Sequence, residues 1–368
     1  MGLSLGARKA KTIVGLDIEA ATVAATEVVT NGDVRLGRSG IAQLGSGVTR
    51  EGEISDPEAL SATIKELFTE QKLSRNVRVG IANQRVIVRT LRMPRIEDES
   101  ELDSAIRFQA QEELAMPLEQ SVLDWQALRP DPELQAAGKR DVVVVAARRE
   151  MVTSLVRVVR EAGLRPVGID VSAFGLIRAM ATDPGAPPPA GASPDADPAA
   201  VPSPAPAQLF CCLGDITNLA VAREGDCLFT RVSPFGIEGI AQRLAERREL
   251  TLEHSRQWLA HVGVEDPVES VDGDPEIVAA AREVLEEGVA KLADEMRLSL
   301  DYYGTQENAQ AIEEIVVCGA GSVIPGIGAE LERHLGHRVR IGRPPALAGL
   351  EGDAAARLTV PYGLALEA

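Results

Sequence analysis

The stretch 181–208, near the middle of the chain, most constrains what this sequence can fold into. It consists mainly of Ala, Pro, Gly, Ser and Asp, as in the run TDPGAPPPAGASPDADPAAVPSPAPA. Such a composition buries too little apolar surface to order a backbone, and its prolines keep it extended. We therefore predict a disordered linker at 181–208, which divides the 368 residues into two halves, each long enough for its own core.

The overall composition argues against several classes of function. A net charge of −17 disfavours a nucleic-acid surface, which needs clustered Lys and Arg to release counterions. No apolar run approaches the roughly 18 residues of a membrane span, and the first residues lack the apolar core of a signal peptide. The four cysteines lie in apolar, strand-like runs, which is typical of buried thiols. We therefore expect a cytoplasmic protein unless a partner holds it at a membrane.

The first half opens as an α/β domain after a short N-terminal tail, 1–10. Lys11 to Val29 reads as two strands joined by a tight turn, and Asp33 to Gln43 as a third strand. A helix and a further strand ending at Asn83 come next. This order of elements predicts the main subdomain of the first domain at 11–83.

The segment 84–165 differs from the preceding one in its pattern of apolar and polar residues, which predicts an inserted β-α-β-β-α subdomain. Val86 to Met93 alternates apolar and polar side chains as a strand does, and Pro94 stops it. A helix with acids in its first turn follows, then two strands joined by a polar loop, then a helix that ends at Gly163. A strand and a short helix at 166–180 end the first domain.

The second domain, 209–345, repeats the theme of the first. Its opening run LFCCLGDITNLAVAREGDCLFTRVS predicts three strands that echo the first hairpin and indicate an internal duplication. A helical subdomain follows at about 245–306, and its last helix, Pro275 to about Thr305, would span roughly 45 Å. The C-terminal segment, 346–368, is predicted to pack back on the first domain, and its last residues read as a terminal helix.

Two blocks narrow the fold further: AIRFQAQEELAMPLEQSVLDW in the insertion and GLRPVGIDV after it. Together with the duplicated halves, they resemble the PilM family, cytoplasmic actin-like proteins of type IV pilus assembly that are related to FtsA. The resemblance implies an α/β, actin-like two-domain fold, with duplicated ribonuclease H-like halves and an FtsA/PilM-type inserted subdomain. It also implies ATP with magnesium in the cleft between the domains. The implied partner is a PilN-like inner-membrane protein, whose N-terminal tail binds a groove between the first subdomain and the insertion.

The resemblance places a first phosphate turn on the opening hairpin, at Asp17, Glu19, Ala20 and Thr22. Asp17 matches the acidic position of the family pattern. Glu19 stands where a glycine is usual, and its carboxylate would repel phosphate. Asp17 is either a turn-forming carboxylate bonded to nearby amides or a ligand of magnesium through water.

A second phosphate turn maps to Gly214, Asp215 and Thr217, with larger departures from the pattern. Counting back from Thr217 puts Cys211 where an aspartate is expected and Leu213 where a glycine is expected. The aspartate would hold magnesium or orient the attacking water. Its absence argues against efficient hydrolysis.

The third element, Gly319, Ala320 and Gly321, matches best, because it follows a strand and suits close approach by an adenosine. A glycine pair between a strand and a helix is also ordinary packing. Ile324 breaks the dinucleotide pattern G-x-G-x-x-G, so a dinucleotide enzyme is disfavoured.

Candidate contacts with the partner's tail lie on the insertion, where strand edges and apolar faces can receive an extended peptide. They are Val86, Ile87, Val88, Ile106, Phe108 and Ala110. Phe108 lies off the apolar stripe of its helix, so it faces either a partner or a second edge of the core.

The resemblance implies a cytoplasmic scaffold of the pilus assembly platform, peripheral to the inner membrane through its partners. The departures from the family pattern predict a degraded or regulatory nucleotide site and weak or no ATPase activity. The alternatives are an active ATPase that drives assembly by switching conformation, and a filament-forming actin relative. The resemblance extends to contacts with other platform proteins, and a homo-oligomer or ring is compatible with it.

Overall fold

The computed structural model describes residues 11–50, 52–114, 116–130, 132–181, 206–306 and 309–366. The predicted tail, 1–10, lies outside these residues, and so does 182–205 of the predicted linker. The chain folds into two compact units. In the described residues, the first unit comprises 11–81, 154–181 and 343–366, and the second comprises 82–153 and 206–342.

Strands and helices are numbered in chain order. The strands are β1 Lys11–Ile18, β2 Thr22–Asn31, β3 Asp33–Gln43, β4 Thr49–Arg50, β5 Glu53–Ile54, β6 Asn76–Ile81, β7 Ile87–Pro94, β8 Ser121–Ala127, β9 Lys139–Arg148, β10 Arg165–Val171, β11 Ala207–Leu213, β12 Thr217–Arg223, β13 Asp226–Ser233, β14 Ile312–Cys318 and β15 Arg338–Ile341. The helices are α1 Pro57–Glu70, α2 Glu99–Glu113, α3 Pro132–Ala136, α4 Arg149–Glu161, α5 Ser172–Ala181, α6 Ile237–Arg248, α7 Leu252–Val262, α8 Pro275–Gly304, α9 Ile327–Leu335 and α10 Gly352–Ala365.

A five-stranded sheet in the order β10-β6-β1-β2-β3 forms the first unit. The predicted opening hairpin is present: β1 pairs antiparallel with β2, and β2 pairs antiparallel with β3. The strands β6 and β10 run parallel to β1. The carboxyl ends of β1, β6 and β10 therefore meet at one edge of the sheet, which is the edge where open α/β sheets bind ligands.

Helix α10 covers one face of this sheet and packs against β1, β2 and α5. Its apolar side chains share a core with Ala24 and Val28 of β2 and with Leu347. The helix begins at Gly352, earlier in the segment 346–368 than the last residues that the sequence indicated, and it contains Pro361 in its interior. The small residues 354–356 extend it toward its N-terminus, because Ala is the best helix former.

The second unit contains a five-stranded sheet in the order β13-β12-β11-β14-β15. Its pairings repeat those of the first sheet: β11, β12 and β13 are antiparallel neighbours, and β14 and β15 run parallel to β11. The predicted duplication is therefore a structural fact. The core of this unit lies between the sheet and a helical layer that includes α6, α7, α8 and α9.

The predicted long helix is confirmed as α8, a single helix of 30 residues. Asp274 caps its N-terminus, where the carboxylate accepts hydrogen bonds from the amides of Glu276 and Ile277. The side chains that α8 buries recur every three or four residues, so one face of the helix lies in the core.

The insertion begins the second unit as a three-stranded antiparallel sheet, in the order β7-β9-β8. The elements follow one another in the predicted β-α-β-β-α order, and the polar loop before β9 also contains the short helix α3, but residues 154–161 of the last helix, α4, belong to the first unit. Helix α2 packs on one face of this sheet and forms a separate core with β7 and β9. Leu91, Met93, Ile106 and Val144 are among its most buried side chains.

Candidate functional site

The first candidate turn lies at the edge of the sheet where β1, β6 and β10 end. Asp17 is the last residue but one of β1, and its Oδ1 accepts a hydrogen bond of 3.0 Å from Ser172 Oγ. Ser172 is the first residue of α5, directly after β10, and only 2% of it is exposed. Since β1 lies beside β6, the Asp17 carboxylate also lies close to Gly80. The Asp17 carboxylate is thus held by a hydrogen bond from the first residue of α5, beside β6.

Hydrogen bonds within the protein close the rest of the first turn. The Glu19 amide donates to the Thr22 carbonyl at 2.9 Å, and the Glu19 carbonyl accepts from Thr49 Oγ1 at 2.9 Å. Thr22 is buried, whereas Glu19 and Ala20 are partly exposed. The Glu19 amide is therefore committed within the turn.

The second candidate turn, Gly214 to Ile216, packs against the start of α6. The Ile237 amide donates to the Gly214 carbonyl at 2.9 Å, and Thr217 Oγ1 donates to the Phe235 carbonyl at 2.8 Å. Because the Ile237 amide bonds to the protein itself, this end of α6 has one fewer N–H group available for an anion.

Several charged side chains surround this second turn. Asp215 is 8% exposed. Arg256 of α7 forms a two-pronged ion pair with Glu238 of α6, at 2.9 and 2.6 Å, and a longer contact of 3.2 Å with Glu253. Burial acts to lower the pKa of Arg256, but its hydrogen bonds to Glu238 and the charges of Glu238 and Asp215 outweigh burial and raise that pKa. Three carboxylates therefore share one guanidinium near this turn.

The position of Cys211 in β11 shows that it does not occupy the place of the expected aspartate, as counting back from Thr217 had indicated. The Cys211 side chain points into the core of the second unit, where its Sγ lies 4.0 Å from Met296 Sδ. Burial raises the pKa of the Cys211 thiol well above its ordinary value, so it stays neutral. Cys212 is on the opposite face of the strand and lies beside Gly319, much as Asp17 lies beside Gly80. Within this duplicated fold, the counterpart of Asp17 is Cys212.

The third element lies against the second turn. Gly319 adopts φ +81°, and a Cβ atom there would come 2.8 Å from Cys212 Sγ. A Cβ atom at Gly321 would come 2.5 Å from Ile237 Cγ1. Ala320 begins the short turn of 3₁₀ helix Ala320–Val323. Both glycines are therefore required by close packing inside the protein.

A nearby polar atom lacks a hydrogen bond. Asn218 follows Thr217 and lies opposite Cys212 in the hairpin. Its Oδ1 is buried and has no hydrogen-bond partner among the described residues. This atom is an acceptor, so a donor and not a phosphate oxygen would satisfy it.

The six candidate groove residues of the insertion differ widely in exposure. Ile106 and Ala110 are fully buried in the insertion's own core, and Val88 is 8% exposed. Val86 and Ile87 are partly exposed, at the start of β7. Phe108 is 68% exposed on the outer face of α2, so it belongs to no core.

Sequence reasoning missed two features of these turns. One is Ser172. Its position directly after a parallel strand could have indicated it, because residues at such positions meet at the ligand-binding edge of a sheet. The other is the Glu238–Arg256 ion pair, which joins separate helices and leaves no local pattern in the sequence. Among the described residues, no cluster of three or more His, Cys, Asp or Glu side chains could hold a metal ion.

Comparison with known proteins decides the family. Residues 15–360 match the sequence model of the type IV pilus assembly protein PilM family. The chain belongs to this family. A chain from the solved PilM–PilN type IV pilus biogenesis complex is 26% identical, with a TM-score of 0.75 over 96% of this chain and 97% of that one.

More distant structures share the actin-like fold of this PilM family member. The ethanolamine utilization protein EutJ from Carboxydothermus hydrogenoformans has a TM-score of 0.55 at 14% identity, over 98% of this chain and 91% of that one. MreB5 of Spiroplasma citri bound to ADP has a TM-score of 0.51 at 13% identity, over 96% and 94% of the two chains. The expected actin-like, two-domain α/β fold is thereby confirmed.

Proposed function

We propose that this chain is a scaffold of the type IV pilus assembly platform, and that it binds the N-terminal tail of a PilN-like inner-membrane protein. The observation that carries the proposal is the likeness, along nearly the whole chain, to a protein solved in a PilM–PilN complex. No helix in the described part of the chain is long and apolar enough to cross a membrane. The tail of the partner would therefore keep the scaffold at the cytoplasmic side of the inner membrane, beside other platform proteins.

The insertion is the part of the molecule that we assign to tail binding. An extended peptide can add to a sheet edge through main-chain hydrogen bonds and place alternate side chains in pockets. The half-exposed start of the edge strand β7, at Val86 and Ile87, offers such an edge with apolar side chains, and Ile87 also packs against the insertion's core. Phe108 offers a second apolar contact on α2. Ile106 and Ala110 would support this surface from within the core.

For the nucleotide site we propose a degraded or regulatory role. The residues of the second turn fit a triphosphate with magnesium poorly, because the buried Asp215 brings negative charge and Cys212, the counterpart of Asp17, supplies no carboxylate for the metal. The Ile237 amide is already bonded to Gly214. ATP and magnesium would bind weakly or only as a regulatory ligand, and turnover would be slow or absent.

An active ATPase is the second candidate, and one observation favours it. Asp17 is held by Ser172 at the edge where parallel strands end, which is a suitable place for a carboxylate that orients a metal-bound water. Under this alternative, nucleotide binding would require magnesium and would be lost in Asp17→Ala.

Calorimetric titration with a synthetic N-terminal tail of the PilN-like partner tests the scaffold proposal. We expect saturable binding to the wild-type protein, about tenfold weaker binding to Ile87→Asp, and no change in Val122→Asp, which places the same charge on the other edge strand. A scrambled tail serves as the control. Absence of binding to the folded wild-type protein would refute the proposal.

Titration with ATP, with and without magnesium, tests the proposed state of the nucleotide site. Weak binding, without magnesium-dependent turnover, is the expected result. Turnover that needs magnesium and disappears in Asp17→Ala would instead favour the ATPase.

A further inference from the structure

We propose that the outer face of α2 binds a segment of the partner's tail in which an apolar side chain is flanked by Lys or Arg. This inference rests on the proposed scaffold function and adds the chemistry of the tail. It places part of the tail on a helix surface that is centred on Phe108, beyond the strand edge at the start of β7.

The exposure of Phe108 is the first observation. The core-facing stripe of α2 is complete without it, because Leu102, Ile106 and Ala110 are buried against the insertion's sheet. An aromatic ring that is 68% exposed leaves most of its apolar surface in water. Rings of this kind are common anchors of binding interfaces, since covering them removes a large apolar area from water.

The charge around Phe108 is the second observation. Five of the side chains on α2 are acidic, and only Arg107 is basic: Glu99, Glu101, Asp103, Glu112 and Glu113. The charge of Arg107 is already committed, because its Nε donates to Asp103 Oδ2 at 2.7 Å. Helix α2 therefore carries an excess of negative charge.

Two of these acids share the face of Phe108. Glu112 lies four residues after the ring and Glu101 seven before it, so both project to the same side of the helix. Within the described residues, neither Glu101 nor Glu112 forms an ion pair. Their carboxylates are thus available on either side of the ring.

This arrangement selects its occupant. A peptide with an aliphatic or aromatic side chain would cover the ring, and flanking Lys or Arg side chains would neutralise Glu101 and Glu112. A cation can also lie over the face of the ring itself. A second copy of this chain presenting the same face is disfavoured, because a two-fold contact would place like charges opposite one another.

Fluorescence anisotropy with a labelled N-terminal tail of the PilN-like partner tests the inference. Phe108→Ser should weaken binding by about tenfold or more. The double variant Glu101→Gln/Glu112→Gln should weaken binding severalfold at low salt and reduce its dependence on salt, because charge pairs at an interface are screened. Glu265→Gln/Glu269→Gln makes the same change in net charge on an exposed loop of the second unit, and it should bind like the wild type.

The outcomes separate the two proposals. If the tail binds all variants equally, or binds with no salt dependence, the assignment to α2 is wrong and the scaffold function stands. If the tail does not bind the wild-type protein, both proposals fail. A tail that binds but carries no Lys or Arg beside an apolar residue would also overturn the inference. Unchanged circular dichroism and thermal unfolding of each variant show that the protein remains folded.

Discussion

Asp103 shows how a single side chain ties α2 to the neighbouring strand. Its Oδ2 accepts from Arg107 Nε at 2.7 Å, and its Oδ1 accepts from Trp125 Nε1 of β8 at 2.9 Å. The hydrogen bond from Arg107 and, after it, the one from Trp125 lower the pKa of Asp103 below its ordinary value of 3.8. Both bonds favour the charged carboxylate, so the contact is strongest when Asp103 is ionised.

The first prediction concerns pH. Because the pKa of Asp103 is lower in the folded than in the unfolded protein, its contribution to stability is complete above about pH 4 and is lost as the pH falls through the folded value. In a Trp258→Phe background, Trp125 emission should therefore titrate with a midpoint below 3.8. Arg107→Gln should raise this midpoint, and Asp103→Asn should abolish the transition. A midpoint that is the same in Arg107→Gln as in the parent protein would contradict the assignment of this titration to Asp103.

The candidate site was only partly predictable at this scale. Asp17, Thr217 and the glycines could be read from sequence because they belong to local turn patterns. The count from Thr217 to Cys211 was one residue off in structural terms. In a strand an error of one residue moves the side chain to the opposite face, so Cys211 lies in the core and Cys212 lies at the turn.

Among the elements, the helical layer of the second unit depends on arginines of two kinds. Arg282 of α8 is 8% exposed and donates to the carbonyls of Gly263 at 2.8 Å, Asp266 at 2.5 Å and Val262 at 3.3 Å. It thereby satisfies the carbonyls at the end of α7. Arg247 of α6 instead pairs with Glu283 in solvent, at 2.5 Å.

We predict that these two arginines differ in their contribution to stability. Arg282→Met leaves buried carbonyls without donors and should lower the free energy of unfolding by about 2–4 kcal/mol. Arg247→Met, a matched change on a neighbouring helix, should cost less than about 1 kcal/mol, because exposed ion pairs contribute little. Urea unfolding followed by Trp258 fluorescence in a Trp125→Phe background measures both. Equal losses in the two variants would refute this interpretation.

Element order was the most predictable part of the fold. The helical period of the apolar residues predicts α8 nearly to its ends, and the alternation of apolar and polar residues predicts the hairpins. Helix α3 was missed, because five residues carry too little periodicity. The start of α10 was missed because Gly352 and a run of alanines carry no apolar stripe, and the subdomain boundaries stay predictions.

For the whole molecule, the notable fact is that the first unit draws on three distant stretches of chain. Helix α10 reaches its place through very close contacts: a Cβ atom at Gly363 would lie 1.7 Å from the Gly175 carbonyl oxygen of α5. Arg78 donates to the Leu364 carbonyl at 2.9 Å, and Arg178 donates to the Gly363 carbonyl at 3.0 Å. These bonds hold the C-terminal turn of α10 inside the unit.

The third prediction follows from this contact. Gly363→Ala should force α10 away from α5 and lower the stability of the first unit by about 2 kcal/mol or more. Gly349→Ala is the matched control, because a Cβ atom there meets no neighbour within 4 Å. Thermal unfolding, with hydrogen exchange of the β1 amides, reports on the unit. If the β1 amides of Gly363→Ala exchange as slowly as those of the wild type, the close contact between α10 and α5 is not needed for stability.

The late position of α10 in the chain has a consequence for synthesis on the ribosome. All five strands of the first sheet have been made by Val171, but the helix that covers them begins only at Gly352. Until then the nascent chain displays an uncovered apolar sheet face, while β11 to β15 have already been synthesised. A growing chain of this kind is a natural client for a chaperone that shields the first sheet until its last helix arrives.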